Sequence, residues 1–360
     1  MKPNNLPNGW QEVELGEICE VKHGSPITKD KITHGDVPVI AGGQQPAYYH
    51  NFANRSCPVI TASGSGAYAG FVNYFEIPIF ASDCSTIQLK SSEIFCKFIY
   101  FLMKSKQNEI YKMQKGIAQP HVYSKDLEKI KILLPPLPLQ KKIVSILEKA
   151  EILKQKREEA DKKTNEYLKS VFYDMFYNKG FEEVELQSIA RVINGRAYNQ
   201  DELLEKGKTP VLRVGNLFSN NNWYYSDLDL EADKYCDKGD LIYAWSASFG
   251  PRIWNGPKVI YHYHIWKIEL STKINKNFLF SFLDSKTQEI KSGGHGITMT
   301  HITKESMDKM KIPLPPLPLQ QKFASIVEKV EKLKEKQKES KEKINEMFDA
   351  LIQKAFKGEL

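Results

Sequence analysis

The residues of this chain that could do chemistry are few, and their spacing suits recognition better than catalysis. The stretch GSGAYAG from Gly64 resembles a loop whose backbone N–H groups would cradle a phosphate. It lacks the G-x-G-x-x-G spacing, however, and no helix is expected after it, so it reads as a hairpin turn. His262 and His264 alternate on an expected strand with no carboxylate or cysteine placed to complete a metal site, and they read as structural histidines. There is no Walker A sequence, no D/N-P-P-F/Y tetrad and no glycine-rich S-adenosylmethionine motif; both P-P pairs stand in L-P-P-L. No catalytic or metal-binding residue is assigned, and no cofactor is expected on this chain. What remains is a set of polar, aromatic and basic loop residues. In the first half these are Gln44, Gln45, Tyr68, Gln119 and His121; in the second, Arg213, Asn216, Trp245, Arg252, Thr298 and His301. Such side chains read base edges, although any one of them alone is equally an ordinary loop residue.

The elements that must position these groups come in duplicate. KIKILLPPLPLQKKIVSILEK at Lys129 to Lys149 returns 180 residues later as KMKIPLPPLPLQQKFASIVEK at Lys309 to Lys329, half the length of the 360-residue chain. From Lys131 against Lys311 to Lys149 against Lys329, 14 of 19 positions are identical, which fixes the register of an internal repeat. GIAQPH ending at His121 faces GITMTH ending at His301, and GWQEVELGEI from Gly9 faces GFEEVELQSI from Gly180. Between these ends, residues 30–115 and 200–295 diverge almost completely. A common frame thus carries two different inserts, the layout of a protein making two recognitions with one scaffold. The boundaries predicted are 1–138 and 180–318 for two recognition domains, and 139–179 and 319–360 for two helical spacers.

The inserts read as mixed, strand-rich domains. CPVITASGSGAYAGFVNYF from Cys57, IPIFAS from Ile77, GDLIYAWSASFGPRIW from Gly239 and KVIYHYHIWKIEL from Lys258 suggest β-hairpins, being rich in β-branched and aromatic residues. Helical periodicity follows in residues 92–115 and 275–291.

Each repeated block then reads as a stop, a stiff spacer and a long helix. Pro135, Pro136 and Pro138, with Pro315, Pro316 and Pro318, favour an extended segment, so the helices are expected from Gln140 and its counterpart onward. Apolar residues in steps of three and four mark a seam through Ile143, Ile146, Ala150 and Leu153, and through Phe323, Ile326, Val330 and Leu333. Its middle is polar, at Arg157, Thr164, Gln337 and Ser340. Helices of about 35 to 40 residues, roughly 55 Å long, carry too narrow a stripe to bury against a small domain. The two stripes are expected to meet in one chain as an antiparallel coiled coil, related by a pseudo-two-fold axis. The fold class predicted is α+β.

Composition agrees. Lys and Arg number 51 against 44 Asp and Glu, a charge of +7, which permits an anionic partner without requiring one. Five cysteines without a C-x-x-C pair read as reduced, buried thiols of a cytoplasmic protein. No signal peptide or membrane-spanning run is present.

The repeated L-P-P-L-P-L-Q block opening a Lys/Glu-rich helix, the A-Q-P-H loop before it, the W-x-x-V-x-L-G-E-I opening at Trp10 and the closing Q-K-A-F-K-G-E-L from Gln353 together resemble the specificity subunit of type I restriction-modification systems. The resemblance covers the whole chain. It implies two target-recognition domains, each reading one half of a bipartite site in double-stranded DNA, joined by helices that form a coiled coil and dock two modification subunits. Those partners would bring S-adenosylmethionine, and restriction/translocase subunits would bring ATP and Mg. One departure stands out: Thr298, Met299 and Thr300 replace Ala118, Gln119 and Pro120 of the first half. A single-chain methyltransferase or nuclease with its own recognition domain is the catalytic alternative, disfavoured by its missing motifs. A coiled-coil adaptor without DNA readout is the structural one, and it would show no sequence preference in a DNA selection.

Overall fold

The computed structural model describes residues 6–116, 118–218, 221–246, 249–291 and 302–359. It divides into two compact units, residues 1–159 with 338–360, and residues 160–337.

In the first unit, β1 (Gln11–Glu14) pairs antiparallel with β9 (Lys131–Leu134), so the matching ends of the first half close on each other as a ribbon. Between them lie β2 (Cys19–His23), β3 (Val37–Ile40), β4 (Tyr48–His50), β5 (Val59–Ser63), β6 (Val72–Phe75), β7 (Phe80–Ala81) and β8 (Cys84–Leu89). They form a four-stranded sheet in the order β2-β8-β5-β6 and a three-stranded sheet β4-β3-β7 whose β3 and β7 run parallel. Val, Ile and Thr make up three of the five residues of β5, and both β5 and β8 are buried along most of their length. Helix Cys96–Ser105 buries Phe98, Ile99, Phe101 and Leu102 in the same cluster as Ile60, Val72 and Ile87, where truncating a phenylalanine costs about 3–5 kcal/mol.

The second unit repeats this plan. β10 (Glu183–Glu185) pairs with β19 (Lys311–Pro313). β11 (Ala190–Asn194), β12 (Thr209–Leu212), β13 (Tyr224–Ser226), β14 (Tyr235–Cys236), β15 (Leu241–Ala244), β16 (Gly250–Ile253), β17 (Val259–Tyr261) and β18 (Ile265–Leu270) build sheets β11-β18-β15-β16 and β13-β12-β17-β14, with β12 parallel to β17. The diverged inserts therefore share one topology down to single hydrogen bonds: Ser82 N donates to Ile40 O at 2.8 Å and His262 N to Leu212 O at 2.9 Å. At Gly24 and Gly195 the backbone approaches the Ser82 and His262 carbonyls so closely that a Cβ would collide with them. Matched residues are 171 apart at Gly9 and Gly180, 172 apart at Ile40 and Leu212, and 181 apart at Ser63 and Ala244; nine extra residues of the second insert thus lie between β12 and β15.

Two expectations need correction here. The segment from Lys258 is no hairpin, because β17 and β18 belong to different sheets. Nor do the inserts diverge to their ends: Ile94, Phe98, Ser105 and Ile110 recur as Ile274, Phe278, Ser285 and Ile290, in helices Cys96–Ser105 and Lys276–Lys291 and beside them.

The repeated glutamine of L-P-P-L-P-L-Q explains that persistence. Gln140 and Gln320 are buried at 1% and 0% exposure. Gln140 Oε1 accepts from Phe95 N at 2.8 Å and Gln320 Oε1 from Asn275 N at 2.7 Å, while their Nε2 atoms donate to Pro135 O and Pro315 O, each at 2.8 Å. Each glutamine pins the proline segment and the start of the preceding helix to the long helix. The long helices are Leu137–Phe176 and Leu317–Lys357, 40 and 41 residues. They begin three residues before the expected start, since Pro138 and Pro318 sit in the first turn, where no backbone N–H is needed.

The helices run antiparallel: in the second unit Gln337 Nε2 donates to Thr164 Oγ1 at 2.9 Å, while Phe323, earlier in its helix, packs at 5.4 Å between ring centroids on Phe176, later in its own. One rail of the seam is as expected, through Ile143, Ala150, Phe323 and Val330, all buried. The other is displaced by one residue. Leu153 and Leu333 are exposed, at 45% and 47%, and Ile146 and Ile326 are only half-buried. Inward positions fall instead at Leu147, Lys154, Asp161 and Leu168, and at Val327, Lys334, Lys341 and Phe348. Lysine fits there because its aliphatic stem packs while its charge reaches outward; Lys154 Nζ lies over the Phe348 ring, 5.8 Å from its centroid.

Candidate nucleic-acid interface

The first unit's candidate residues sit on connections between strands, as do Arg213, Asn216 and Trp245 in the second, whereas Arg252 lies within β16. In the first unit, three connections touch. Gly66 and Gly70, both at positive φ, turn the chain between β5 and β6, so GSGAYAG is a hairpin turn. Ser63 Oγ donates to Gly43 O at 2.9 Å and Asn73 Nδ2 to Gln44 O at 3.2 Å, tying the β3–β4 connection to this turn. Gly66 N donates to Pro120 O at 3.0 Å, and Val122 N to Gly64 O at 3.1 Å, tying in the loop before β9. Gln44, Gln45, Tyr68, Gln119 and His121 are thereby brought onto one patch. Tyr68 is 46% exposed, and the His121 ring stacks on Tyr123 at 6.1 Å.

That patch includes groups the sequence reading passed over. Gln119 Nε2 donates to Ser65 Oγ at 3.4 Å, and Ser65 Oγ in turn donates in a short bond to Asp83 Oδ2. Asp83 ends the connection from β7 to β8, and nothing local in the sequence marks it. Tyr48 and Tyr49 stand exposed on β4, and Lys115 Nζ reaches Asp126 at 2.7 Å while lying over the Tyr123 ring.

In the second unit the equivalent connections carry different chemistry. The Arg213 guanidinium lies 5.2 Å from the Tyr224 ring centroid, while the Arg213 backbone N–H donates to Asn216 Oδ1 at 3.1 Å. Arg252 lies over the Phe218 ring at 4.8 Å. Trp245 donates through Nε1 to Tyr263 O at 2.7 Å, meets His264 edge-on at 4.9 Å and stacks on Trp266 at 5.9 Å. His262 and His264 occupy the turn from β17 to β18 and are not alternating strand residues; their rings are 4.8 Å apart. Burial, then the charges of His264 and Arg213, hold His262 down to about 4, so the imidazole is neutral at physiological pH. Arg196, held bidentate by Glu202 at 2.6 and 2.9 Å, borders this cluster. Thr298 and His301 lie outside the described residues.

The interface is positive in places without being strongly basic. Four of the cysteines are buried, and burial pushes the thiols of Cys19, Cys84 and Cys236 up to about 12; Cys57 is exposed, contrary to expectation. Among the described residues no three His, Cys, Asp or Glu side chains gather as metal ligands would, and no helix is long and apolar enough to cross a membrane.

Comparison with known proteins agrees with this arrangement. The family described as "Type I restriction modification DNA specificity domain" matches residues 7–162 and again 178–346. The Type I restriction enzyme MjaVIII specificity subunit of Methanocaldococcus jannaschii is 24% identical over a 402-residue alignment, spanning 99% of this chain and 94% of that protein. Among solved structures, a type I restriction-modification S subunit from M. genitalium matches with a TM-score of 0.61 at 18% identity, covering 99% of this chain and 98% of that one. A chain from a structure of complex assembly in the type I R-M system matches at 0.68 and 21% identity, covering 99% and 100%. These two likenesses are of fold.

Proposed function

Because this chain belongs to the type I restriction-modification DNA specificity family, whose domain it carries twice, we propose that it is the non-catalytic subunit that gives such a complex its DNA sequence, each domain reading one half of a bipartite site. The observation that carries this is the pairing of one topology with two chemistries. The first unit presents amides, tyrosines and a carboxylate where the second presents arginines, histidines and a tryptophan. Two readers of one build but unlike side chains fit two unlike half-sites.

Affinity comes from Lys and Arg on phosphates, and discrimination from a few side chains at the bases, each good bidentate pair supplying about 1–3 kcal/mol. The modest charge of +7 leaves much of the DNA clamping to partner subunits. The helix pair sets the spacing of the half-sites and docks two modification subunits, which bring S-adenosylmethionine. Restriction/translocase subunits bring ATP and Mg, and the complex works in the cytoplasm. Methylome sequencing of cells expressing this chain with its modification subunit should yield one bipartite, adenine-methylated motif. Replacing residues 30–115 with another subunit's insert should change one half of it. No motif, or a change in both halves, overturns the reading.

A further inference from the structure

From the first unit's patch we infer that Asp83 is a specificity-determining residue, accepting a hydrogen bond from the exocyclic amino group of one base in the half-site that unit reads. The inference rests on the DNA-reading function proposed above and adds a residue and a chemical class to it.

A carboxylate is an acceptor only, and on a surface that meets phosphates it is repelled unless a donor answers it. Most carboxylates near the patch are already answered; Asp126, for instance, pairs with Lys115. Asp83 is half-buried, has no cationic partner among the described residues, and is held by the Ser65 hydroxyl at Oδ2 alone. Oδ1 accepts no hydrogen bond among the described residues. It packs over Gly64 so closely that a Cβ there would collide with it, so the glycine turn keeps the carboxylate in place.

The groups around it suit a base edge. Gln119 is bonded to the same Ser65 hydroxyl, and the exposed Gln44 and Gln45 lie on the adjoining connection. In the major groove the donors that answer a carboxylate are N4 of cytosine and N6 of adenine. The second unit supplies an internal contrast. Where Ser82 and Asp83 join β7 to β8, His262, Tyr263 and His264 join β17 to β18, and no carboxylate is present. An amino group read through a carboxylate at this place is therefore a property of one half-site only.

The test uses the complex of this chain with its modification subunit and duplexes carrying its motif. Amino groups are deleted one at a time in both half-sites, with purine replacing adenine and pyrimidin-2-one replacing cytosine. For the wild-type complex, deletion at one position of the first unit's half-site should weaken binding about tenfold to a hundredfold. Which analogue does so tells adenine from cytosine. Asp83→Asn, which keeps the shape and an acceptor for Ser65, should bind the parent duplex correspondingly less well and be indifferent to that deletion. The wild-type arm does not depend on any variant folding. If a bipartite motif exists but every deletion is tolerated, or if Asp83→Asn remains as sensitive as wild type, the assignment to Asp83 fails while the DNA-reading function stands. If no sequence-dependent binding is found, that function fails first.

Discussion

Replacing Gln320 tests the claim that the repeated block is a hydrogen-bonded lock. Gln320→Met keeps length and apolar packing but removes an acceptor for Asn275 N and a donor to Pro315 O, both at sites where the side chain is fully buried. Each orphaned group costs about 1–3 kcal/mol, and with some relief from water at the proline we expect a loss of about 3 kcal/mol. For a domain of this size that lowers Tm by roughly 6–12 °C. Gln320→Glu should be worse, since it retains the acceptor but buries a charge beside a carbonyl. Gln140→Met should act likewise on the first unit, its bonds being the same to within 0.1 Å at the two shortest contacts (2.8 and 2.8 Å against 2.7 and 2.8 Å). Thermal unfolding followed by circular dichroism is the assay. Variants melting within about 2 °C of wild type would show that the block is held by its apolar neighbours and that the glutamine bonds add nothing.

The displaced rail predicts that Leu153→Asp and Leu333→Asp, at exposed positions, change stability by less than about 1 kcal/mol, whereas Leu147→Asp, with its side chain at 0% exposure, costs more than about 4 kcal/mol; denaturant titrations separate the two. Arg213→Ala should weaken binding by about 1–3 kcal/mol and relax one position of the second unit's half-site while leaving the other half-site unchanged, as a selection from randomised duplexes would show. His262 titrates near 4 folded and near 6.5 unfolded, so between those values the unfolded chain binds more protons. Its contribution to stability is thus complete above about pH 6.5 and falls as pH drops towards 4; His262→Gln should flatten that part of the stability profile measured by urea unfolding.

Much of this architecture is legible in the residues because it is written locally. The repeat, the two long helices and the hairpin at Gly64 follow from identity, periodicity and turn glycines. The phase of the helix seam does not. Ile143 is followed by apolar residues at both the third and fourth positions, Ile146 and Leu147, and farther along the inward rail holds the half-buried Lys154 and Lys334 beside exposed leucines. Hydrophobicity cannot choose between rails when a lysine stem packs as well as a leucine. The shared topology of the inserts depends on parallel pairing between strands 40 residues apart, such as Val39 with Phe80, which no local pattern reports. Asp83 and Ser65 meet through the antiparallel pairing of β5 with β8, also distant in sequence. The five first-unit candidates do fall on one patch, because loops that follow neighbouring strands must emerge together.

The ribbon of β1 with β9, and its twin of β10 with β19, bears on how such a protein can change in length. Each ribbon closes a very large loop at its base, and the entropy of closing a loop grows only with the logarithm of its contour, each doubling costing about 0.6 kcal/mol. Nine further residues in the second insert are therefore almost without thermodynamic consequence, provided the two ends still arrive side by side. They lie between β12 and β15, in the stretch that includes Arg213, Asn216, the short helix Val214–Phe218 and the added strand β14. Polymer statistics thus leave the reading surface free to grow, while the closure at its base holds the chain ends to one geometry.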